Sequence, residues 1–217
     1  GCATASLTVD VSEQSSTDEM VRWAIAEFGQ IDILVNGASV VGGSGWFDRQ
    51  SPTLADWDAA FAVNVRGIVH ATQSVESHMK DRRTGKIVNV ISGTAGATGL
   101  NQENFSNYSA SRASAINVTQ SYAALLGPFN INVNGICPGV IWSHPPVGQS
   151  RTSQKSDVIG ISSHQRDQFL KWVNDNAPLR REQTSQDVGK LAVFLCSDRA
   201  RNITGQAIQI NGGSPAR

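Results

Sequence analysis

The sequence has 217 residues, of which 40% are apolar and 17% charged, and its 18 basic residues balance 18 acidic ones. That length fits one domain over residues 1–217, and a neutral chain without a basic run gives no electrostatic case for binding nucleic acid or an anionic membrane. No apolar run reaches the roughly 18 to 20 residues that span a bilayer, and nothing at the start resembles a signal peptide. The three cysteines and four histidines are scattered, so we expect no disulfide framework, no metal site, and a reducing cytoplasm.

The first part of the chain predicts two strands around a helix. Residues 7–11 form a short β-rich run, and apolar side chains then recur at helical spacing over 20–28 until Gly29 ends the helix. The run 31–36 is short and mostly apolar, which is typical of a strand buried on both faces. It leads into Gly37-Ala38-Ser39, where small residues let a flat ligand approach the backbone.

Residues 53–81 predict a long helix, which a Ser-Pro-Thr sequence opens. Asn64 lies inside the apolar pattern of this helix, so its amide is expected to have a partner, either backbone or water. A Thr-Gly pair ends the helix, and residues 86–91 then predict a second buried strand that leads into Ser92.

The second half of the chain alternates in the same way. A helix is expected from Ser106 to Leu126, where Gly127-Pro128 ends it, and its face of small residues is a candidate interface. The further elements are a strand at 130–137, a polar lid-like segment at 143–165, helices near 164–174 and 185–196, and a last strand at 207–211. This alternation predicts a parallel α/β sheet, in which ligands bind at the carboxyl ends of the strands.

Tyr108 and Arg112 lie four residues apart, on one face of the predicted helix. A free tyrosine keeps its proton up to a pH of about 10, and a fixed positive charge nearby stabilises a phenolate. At roughly 5 Å and an effective dielectric of about 20, the attraction is on the order of 3 kcal/mol. The two residues are therefore either a general acid/base pair or an ordinary pair on a solvated helix.

A series of short motifs runs through the chain in order. They are Val9-Asp10-Val11, Asn36-Gly37-Ala38-Ser39, Asn64-Val65-Arg66-Gly67, the strand that ends in Ser92, Tyr108 with Arg112, Pro138-Gly139 with Ser143, Pro178-Leu179-Arg180-Arg181, Phe194-Leu195-Cys196-Ser197-Asp198, Ile203-Thr204-Gly205-Gln206 and Asn211-Gly212-Gly213. Each motif is weak alone. Together, and in this order, they resemble the short-chain dehydrogenase/reductase family over nearly the whole chain.

The resemblance implies a Rossmann-like parallel sheet with helices on both faces, and an NAD(P)-dependent oxidoreductase that interconverts a small alcohol and a ketone by hydride transfer. Tyr108 would exchange a proton with the substrate oxygen, and Ser92 would hydrogen-bond that oxygen. Asn64 would hold a water in the proton path, and Arg112 would support the phenolate and touch the cofactor ribose. The implied contacts to NAD or NADP are Asp10, Val11, Asn36, Gly37, Ala38, Tyr108, Arg112, Pro138, Gly139 and Ser143.

Substrate choice and assembly also follow from the resemblance. A lid at about 143–176 would select the small alcohol or carbonyl compound, with Trp142, Phe169 and Trp172 either in its apolar pocket or in the core. Homodimers or homotetramers would form through the helices at 53–81 and 106–126.

Three features depart from the family's pattern. The first β-α-β-α unit, with its glycine-rich turn for the cofactor pyrophosphate, is not present before residues 9–11, which would leave one edge of the strand 31–36 bare. A longer parent chain is the favoured explanation; movement of the segment at Val9 and cover by another subunit are the others.

The other two departures concern single residues. Arg112 stands where the family has lysine, and a planar guanidinium does not replace a compact ammonium in every contact. Gly37 and Ser39 stand where the family has asparagine and glycine. These departures support an alternative function, a catalytically silent homologue that acts in binding or assembly, and an artefactual fragment is a third possibility.

Overall fold

A computed structural model describes residues 2–41, 51–96, 106–141 and 163–214. Its sheet has four parallel strands in the order β1-β2-β3-β4. The strands are β1 (Ile33–Asn36), β2 (Gly85–Val90), β3 (Ile131–Pro138) and β4 (Ala207–Ile210). The α-helices of the described ranges are α1 (Gln14–Phe28), α2 (Leu54–Phe61), α3 (Gly67–Arg82), α4 (Ser106–Leu126), α5 (Ser163–Asn176) and α6 (Ser185–Cys196).

Alternate side chains of the two central strands pack on opposite faces of the sheet. Ile87 and Val133 join the core that α1, α3 and α4 cover. Val88 and Ile136 point to the other face, where Leu195 of α6 packs on them. Burial of each aliphatic side chain of this kind contributes about 1.5–3 kcal/mol to the stability of the folded chain. The predicted Rossmann-like sheet with helices on both faces is therefore confirmed.

Local signals set the helix ends. Thr53 and Asp56 form a capping box at α2, in which the threonine hydroxyl accepts from the Asp56 main-chain N–H at 3.2 Å. Thr184 and Asp187 repeat this arrangement at α6, where the corresponding distance is 3.3 Å. Gly29 ends α1 with a φ of 83°, a conformation that glycine adopts without strain. The predicted ends of α4 and α6 are confirmed.

Two predictions about the first strands are wrong. Residues 7–11 form no strand; the main chain of Asp10 instead donates to Ser16 of α1 at 3.0 Å, and the Val11 carbonyl lies 3.0 Å from His70 of α3. The first strand, β1, is also not buried on both faces, because Ile33 is 47% exposed and Val35 is 51% exposed. A strand needs a hydrogen-bonded neighbour, and β1 is the edge of the sheet in the described part of the chain.

The described ranges contain no helix that is both long and apolar enough to cross a membrane. Within the same ranges, no three histidine, cysteine, aspartate or glutamate side chains come together as a metal site would require. Cys2, Cys137 and Cys196 are free, and Cys137 is the buried one.

Candidate active site

Asn64 lies in a turn that interrupts the predicted helix 53–81. Five residues, Ala62–Arg66, form a π-helical segment between α2 and α3, and such segments are frequent at functional sites. The Asn64 amide nitrogen donates to the Val40 carbonyl at 2.8 Å and to the Ser111 hydroxyl at 3.0 Å, and its oxygen accepts from the Val40 N–H at 2.9 Å. The expected partner of this buried amide is thus main chain, with Ser111 in addition.

These bonds hold the segment after β1 against the start of α4. Asn107 reinforces them, because its amide donates to the Val41 carbonyl at 3.1 Å and to the Asp56 carbonyl at 3.2 Å. Ser111 donates in turn to the Tyr108 carbonyl at 2.7 Å. The first turns of α4 therefore have fixed positions relative to β1 and α2.

Tyr108 and Arg112 lie together inside this arrangement. The tyrosine is 8% exposed and the arginine 1% exposed, and the guanidinium carbon lies 5.1 Å from the centroid of the phenol ring. Arg112 also donates through one terminal nitrogen to the Val90 carbonyl, at 3.4 Å. Its Nε is buried and has no hydrogen-bond partner among the described residues. The sequence spacing did place the two side chains on one face, but both are buried and neither lies on a solvated surface.

Ser92 lies just past the end of β2, and its position depends on the neighbouring strand. The N–H of Ile91 donates to the Ile136 carbonyl of β3 at 2.7 Å. The Cys137 thiol of β3 is hydrogen-bonded to the main chain of Ser92 and lies within electrostatic range of Arg112, yet burial raises the pKa of that thiol. Ser92 and Arg112 are therefore both neighbours of Cys137, at the carboxyl end of the sheet.

Asn36 ends β1 and belongs to a chain of polar contacts that crosses the sheet. Its amide donates to Asn89 of β2 at 2.8 Å, and Asn89 donates to Thr119 of α4 at 2.9 Å. Gly37 and Ala38, which follow, are exposed, and the space where a Gly37 side chain would project is open. Sequence reasoning missed Asn89, although a polar residue within an apolar strand was a signal for it.

Two glycines bring backbone close together at the ends of β2 and β3. A Cβ on Gly93 would lie 3.0 Å from the Pro138 carbonyl oxygen. A Cβ on Gly139 would lie 2.9 Å from Asn211 Cβ and 3.3 Å from the Gln183 side-chain oxygen. The segment Pro138-Gly139 is thus packed between Gly93, which follows β2, and Asn211, which follows β4.

The remaining predicted contacts do not join this cluster. Asp10 is exposed, and hydrogen bonds from Ser12 hold the pKa of its carboxyl below the ordinary value. Val11 packs against Gly67, the first residue of α3. Ser143 and the lid up to residue 162 lie outside the described residues, as does Trp142.

Known proteins share both the sequence and the fold. The sequence profile of a family described as "Enoyl-(Acyl carrier protein) reductase" matches residues 1–214. The 3-oxoacyl-[acyl-carrier-protein] reductase FabG of Staphylococcus epidermidis is 30% identical over 213 residues, which are 98% of this chain and 78% of the relative. The FabG protein of Thermotoga maritima is 31% identical over 207 residues, which are 94% of this chain and 74% of the relative.

Two solved structures align with this chain at a TM-score of 0.76. One, assigned as a short-chain alcohol dehydrogenase from Sinorhizobium meliloti 1021, is 30% identical and aligns over 96% of this chain and 75% of its own. The other is a 7α-hydroxysteroid dehydrogenase complexed with NADH and 7-oxo glycochenodeoxycholic acid, 28% identical, aligned over 96% of this chain and 73% of its own. The chain belongs to the short-chain dehydrogenase/reductase family of NAD(P)-dependent oxidoreductases.

Proposed function

We propose that this chain interconverts a small alcohol and a ketone by hydride transfer with NAD or NADP. The placement of Tyr108 carries the proposal: the phenol is almost buried, and the Arg112 guanidinium carbon lies 5.1 Å from its ring centroid. A cation at that distance attracts the negative charge that develops on a phenol oxygen as it releases a proton. The pair is thus suited to general acid/base catalysis.

Each of the other residues has a separate task in this reaction. The nicotinamide ring, when bound, supplies or accepts the hydride. Tyr108 gives its proton to the substrate oxygen during ketone reduction and takes it back during alcohol oxidation. Ser92 donates a hydrogen bond to the same oxygen as charge develops there. Asn64 holds a water in the proton path through the second lone pair of its Oδ1, since the first accepts from Val40.

The residues present fit the nicotinamide end of the cofactor. The Nε of Arg112 is buried and has no partner among the described residues, and we assign it to a ribose hydroxyl of the bound cofactor. Gly37 and Ala38 expose backbone beside Asn36, so that a flat ligand can approach. The proposed contacts further include Pro138-Gly139, together with Ser143 beyond the described residues, and Asp10 and Val11 at the adenine end.

Two relatives support a ketone substrate. The FabG proteins are named as reductases of 3-oxoacyl groups, and the hydroxysteroid dehydrogenase is complexed with a 7-oxo compound. Both compounds have a ketone as the reacting group. The rest of the molecule differs between them. We assign selection of that remainder to the lid at 143–176.

We further propose that residues 1–217 form one domain and act as a homodimer or homotetramer in a reducing cytoplasm. The exposed stripe of α4 that contains Ala113, Asn117 and Ser121 has small side chains, which let a second helix approach closely. Free thiols at all three cysteines fit a reducing compartment.

Substitution of Tyr108 tests the function. We expect Tyr108→Phe to lower the rate of ketone reduction by a factor of about 10² to 10⁴, because the proton donor is lost. The dissociation constant of the nicotinamide cofactor should rise by about fivefold at most, the worth of the one hydrogen bond that the phenol can make with it. Nicotinamide absorbance gives the rate, and calorimetry gives the affinity. Tyr122→Phe, further along α4, is the matched control and should keep wild-type activity. A Tyr108→Phe variant with wild-type turnover would contradict the assignment.

The alternative, a catalytically silent homologue that acts in binding or assembly, rests on Arg112. Its guanidinium is turned to the Val90 carbonyl, so the contacts of a lysine at this position are not reproduced. The same assay separates the two functions. If neither the wild-type chain nor Arg112→Lys reduces any ketone, and the wild-type chain unfolds cooperatively but does not bind the cofactor, the silent function is the correct one. A chain that does not unfold cooperatively would instead be an artefactual fragment.

A further inference from the structure

Asn107 is the residue before Tyr108 on α4, and no step of the proposed reaction uses it. Its side chain is 1% exposed. Its amide nitrogen donates to the Val41 carbonyl at 3.1 Å and to the Asp56 carbonyl at 3.2 Å. A primary amide has two N–H groups, so each carbonyl receives one of them. No N–H of this amide is then left for a ligand.

The two acceptors of Asn107 belong to elements that other contacts hold in place. Val41 follows Val40, whose N–H and carbonyl both bond to the Asn64 amide, at 2.9 and 2.8 Å. Asp56 lies in the first turn of α2, and its side chain closes the capping box of that helix. Because both acceptors are held in this way, the Asn107 amide determines where the first turn of α4 lies relative to them.

The start of α4 has two neighbouring faces with different contacts. Asn107 and Ser111 lie four residues apart and share one face, and Ser111 accepts from the Asn64 amide at 3.0 Å. Tyr108 and Arg112 share the next face, about 100° further round the helix axis. The first face is anchored to the rest of the chain, so it sets the rotation of α4 about its axis. That rotation in turn sets the position of the Tyr108 phenol.

A small rotation of the helix is enough to affect proton transfer. Side chains extend roughly 5–6 Å from a helix axis, so a rotation of about 10° moves their ends by about 1 Å. A misplacement of about 1 Å can cost about 100-fold in rate.

We propose that Asn107 is a positioning residue for the reaction, which fixes the rotation of α4 and thereby holds the Tyr108 hydroxyl at the substrate oxygen. Asn107 itself touches neither substrate nor cofactor. This inference rests on the proposed function, because it needs Tyr108 as the proton donor.

The test measures Asn107→Leu in two backgrounds of the full chain. Leucine has the branched shape of asparagine but no donors. With Tyr108 present, we expect the kcat of ketone reduction to fall by about 10- to 100-fold, because the phenol loses its position. With Tyr108→Phe, no hydroxyl remains to be positioned, so Asn107→Leu should lower the residual rate by less than about twofold. Nicotinamide absorbance at saturating ketone and cofactor gives the rates, and denaturant titration corrects each rate for the fraction folded.

A second variant keeps part of the anchor. Asn107→Ser retains one donor and adds no bulk, so its kcat should lie between those of wild type and Asn107→Leu. Its loss should likewise disappear in the Tyr108→Phe background. Asn202→Leu, at an exposed asparagine of the loop before β4, is the control and should leave kcat unchanged.

The outcomes separate this inference from the proposed function. Equal losses in the two backgrounds would overturn the inference alone, because Asn107 would then act on the rate without Tyr108. Wild-type kcat in both Asn107 variants would overturn it as well, and the proposed function would stand. A wild-type chain that neither binds a nicotinamide dinucleotide nor reduces a ketone would overturn the inference and the proposed function together.

Discussion

Two buried polar side chains near the carboxyl end of the sheet differ in how many hydrogen-bond partners the rest of the chain provides for them. Asn64 is 0% exposed, and its amide makes three hydrogen bonds of 2.8 to 3.0 Å, two with the Val40 main chain and one with Ser111. Arg112 is 1% exposed, but it makes one long contact of 3.4 Å with the Val90 carbonyl, and its Nε is unpaired among the residues described.

The difference separates a group that holds the fold from a group that still has donors for a ligand. An amide whose two N–H groups are both used has little left to offer except one oxygen lone pair. A buried guanidinium has five donors and cannot lose its charge. We therefore expect changes at Asn64 to appear mainly in stability, and changes at Arg112 to appear mainly in ligand binding.

Asn64→Ala should produce the largest effect on stability. It leaves the N–H and the carbonyl of Val40, a half-buried residue, without these partners, and each such group costs about 1–3 kcal/mol when water does not replace the partner. We expect the free energy of unfolding to fall by about 3 kcal/mol, measured by denaturant titration. Asn202→Ala, at an exposed asparagine of the loop before β4, is the control and should change the free energy of unfolding by less than about 0.5 kcal/mol. If Asn64→Ala lowers the free energy of unfolding by less than about 1 kcal/mol, Asn64 acts mainly in catalysis and contributes little to the stability of the fold.

Arg112→Met should have the opposite pattern, with little change in stability and a clear loss of cofactor affinity. An apolar side chain of similar length removes a buried charge that faces no carboxylate in the described part of the chain, so the free energy of unfolding should stay within about 1 kcal/mol of wild type or rise. The dissociation constant of the nicotinamide cofactor should rise about tenfold, because the ribose loses a charged donor. Calorimetry measures the second change.

A control for Arg112 is Arg201→Met, at an exposed arginine of the loop before β4, which should leave both quantities unchanged. Arg112→Lys keeps the charge and should restore affinity in part. A strong loss of stability in Arg112→Met, with unchanged affinity, would reverse the contrast with Asn64 and make the arginine a structural residue.

Sequence reasoning succeeded where local chemistry decides the structure. The end of α4 was predictable because Gly127-Pro128 stops a helix, and the structure shows that a capping box of Thr184 and Asp187 starts α6. The position of Tyr108 and Arg112 on one helical face follows from their spacing alone. The short, mostly apolar run of residues 86–91 was likewise sufficient to place a buried strand.

Non-local pairing explains what the sequence could not predict. Residues 7–11 have the composition of a strand, but a strand exists only with a neighbour, and the structure pairs their main chain with α1 and α3 instead. The bonds of Asn64 join residues 24 and 47 positions away. No short window of sequence records contacts over such separations.

Cys137 allows a further test of the Arg112 charge, with a smaller expected effect, because its thiol interacts with both Ser92 and Arg112. Burial raises the pKa of its thiol, and the Ser92 main chain and the Arg112 charge lower it by less. A raised pKa in the folded chain means that the neutral thiol is favoured there. The resulting stability is complete below the ordinary thiol value of about 8.5 and is lost as the pH rises through the folded pKa.

We expect the difference in unfolding free energy between wild type and Cys137→Ala to shrink from about pH 7 to about pH 10, since the other titrating groups cancel between the two proteins. Denaturant titrations at several pH values measure this difference. Removing the Arg112 charge takes away one cause that lowers the folded pKa of Cys137, so in an Arg112→Met background the decline should continue to a higher pH and become larger. A decline of the same size that ends at the same pH would mean that the guanidinium charge is screened from the Cys137 thiol.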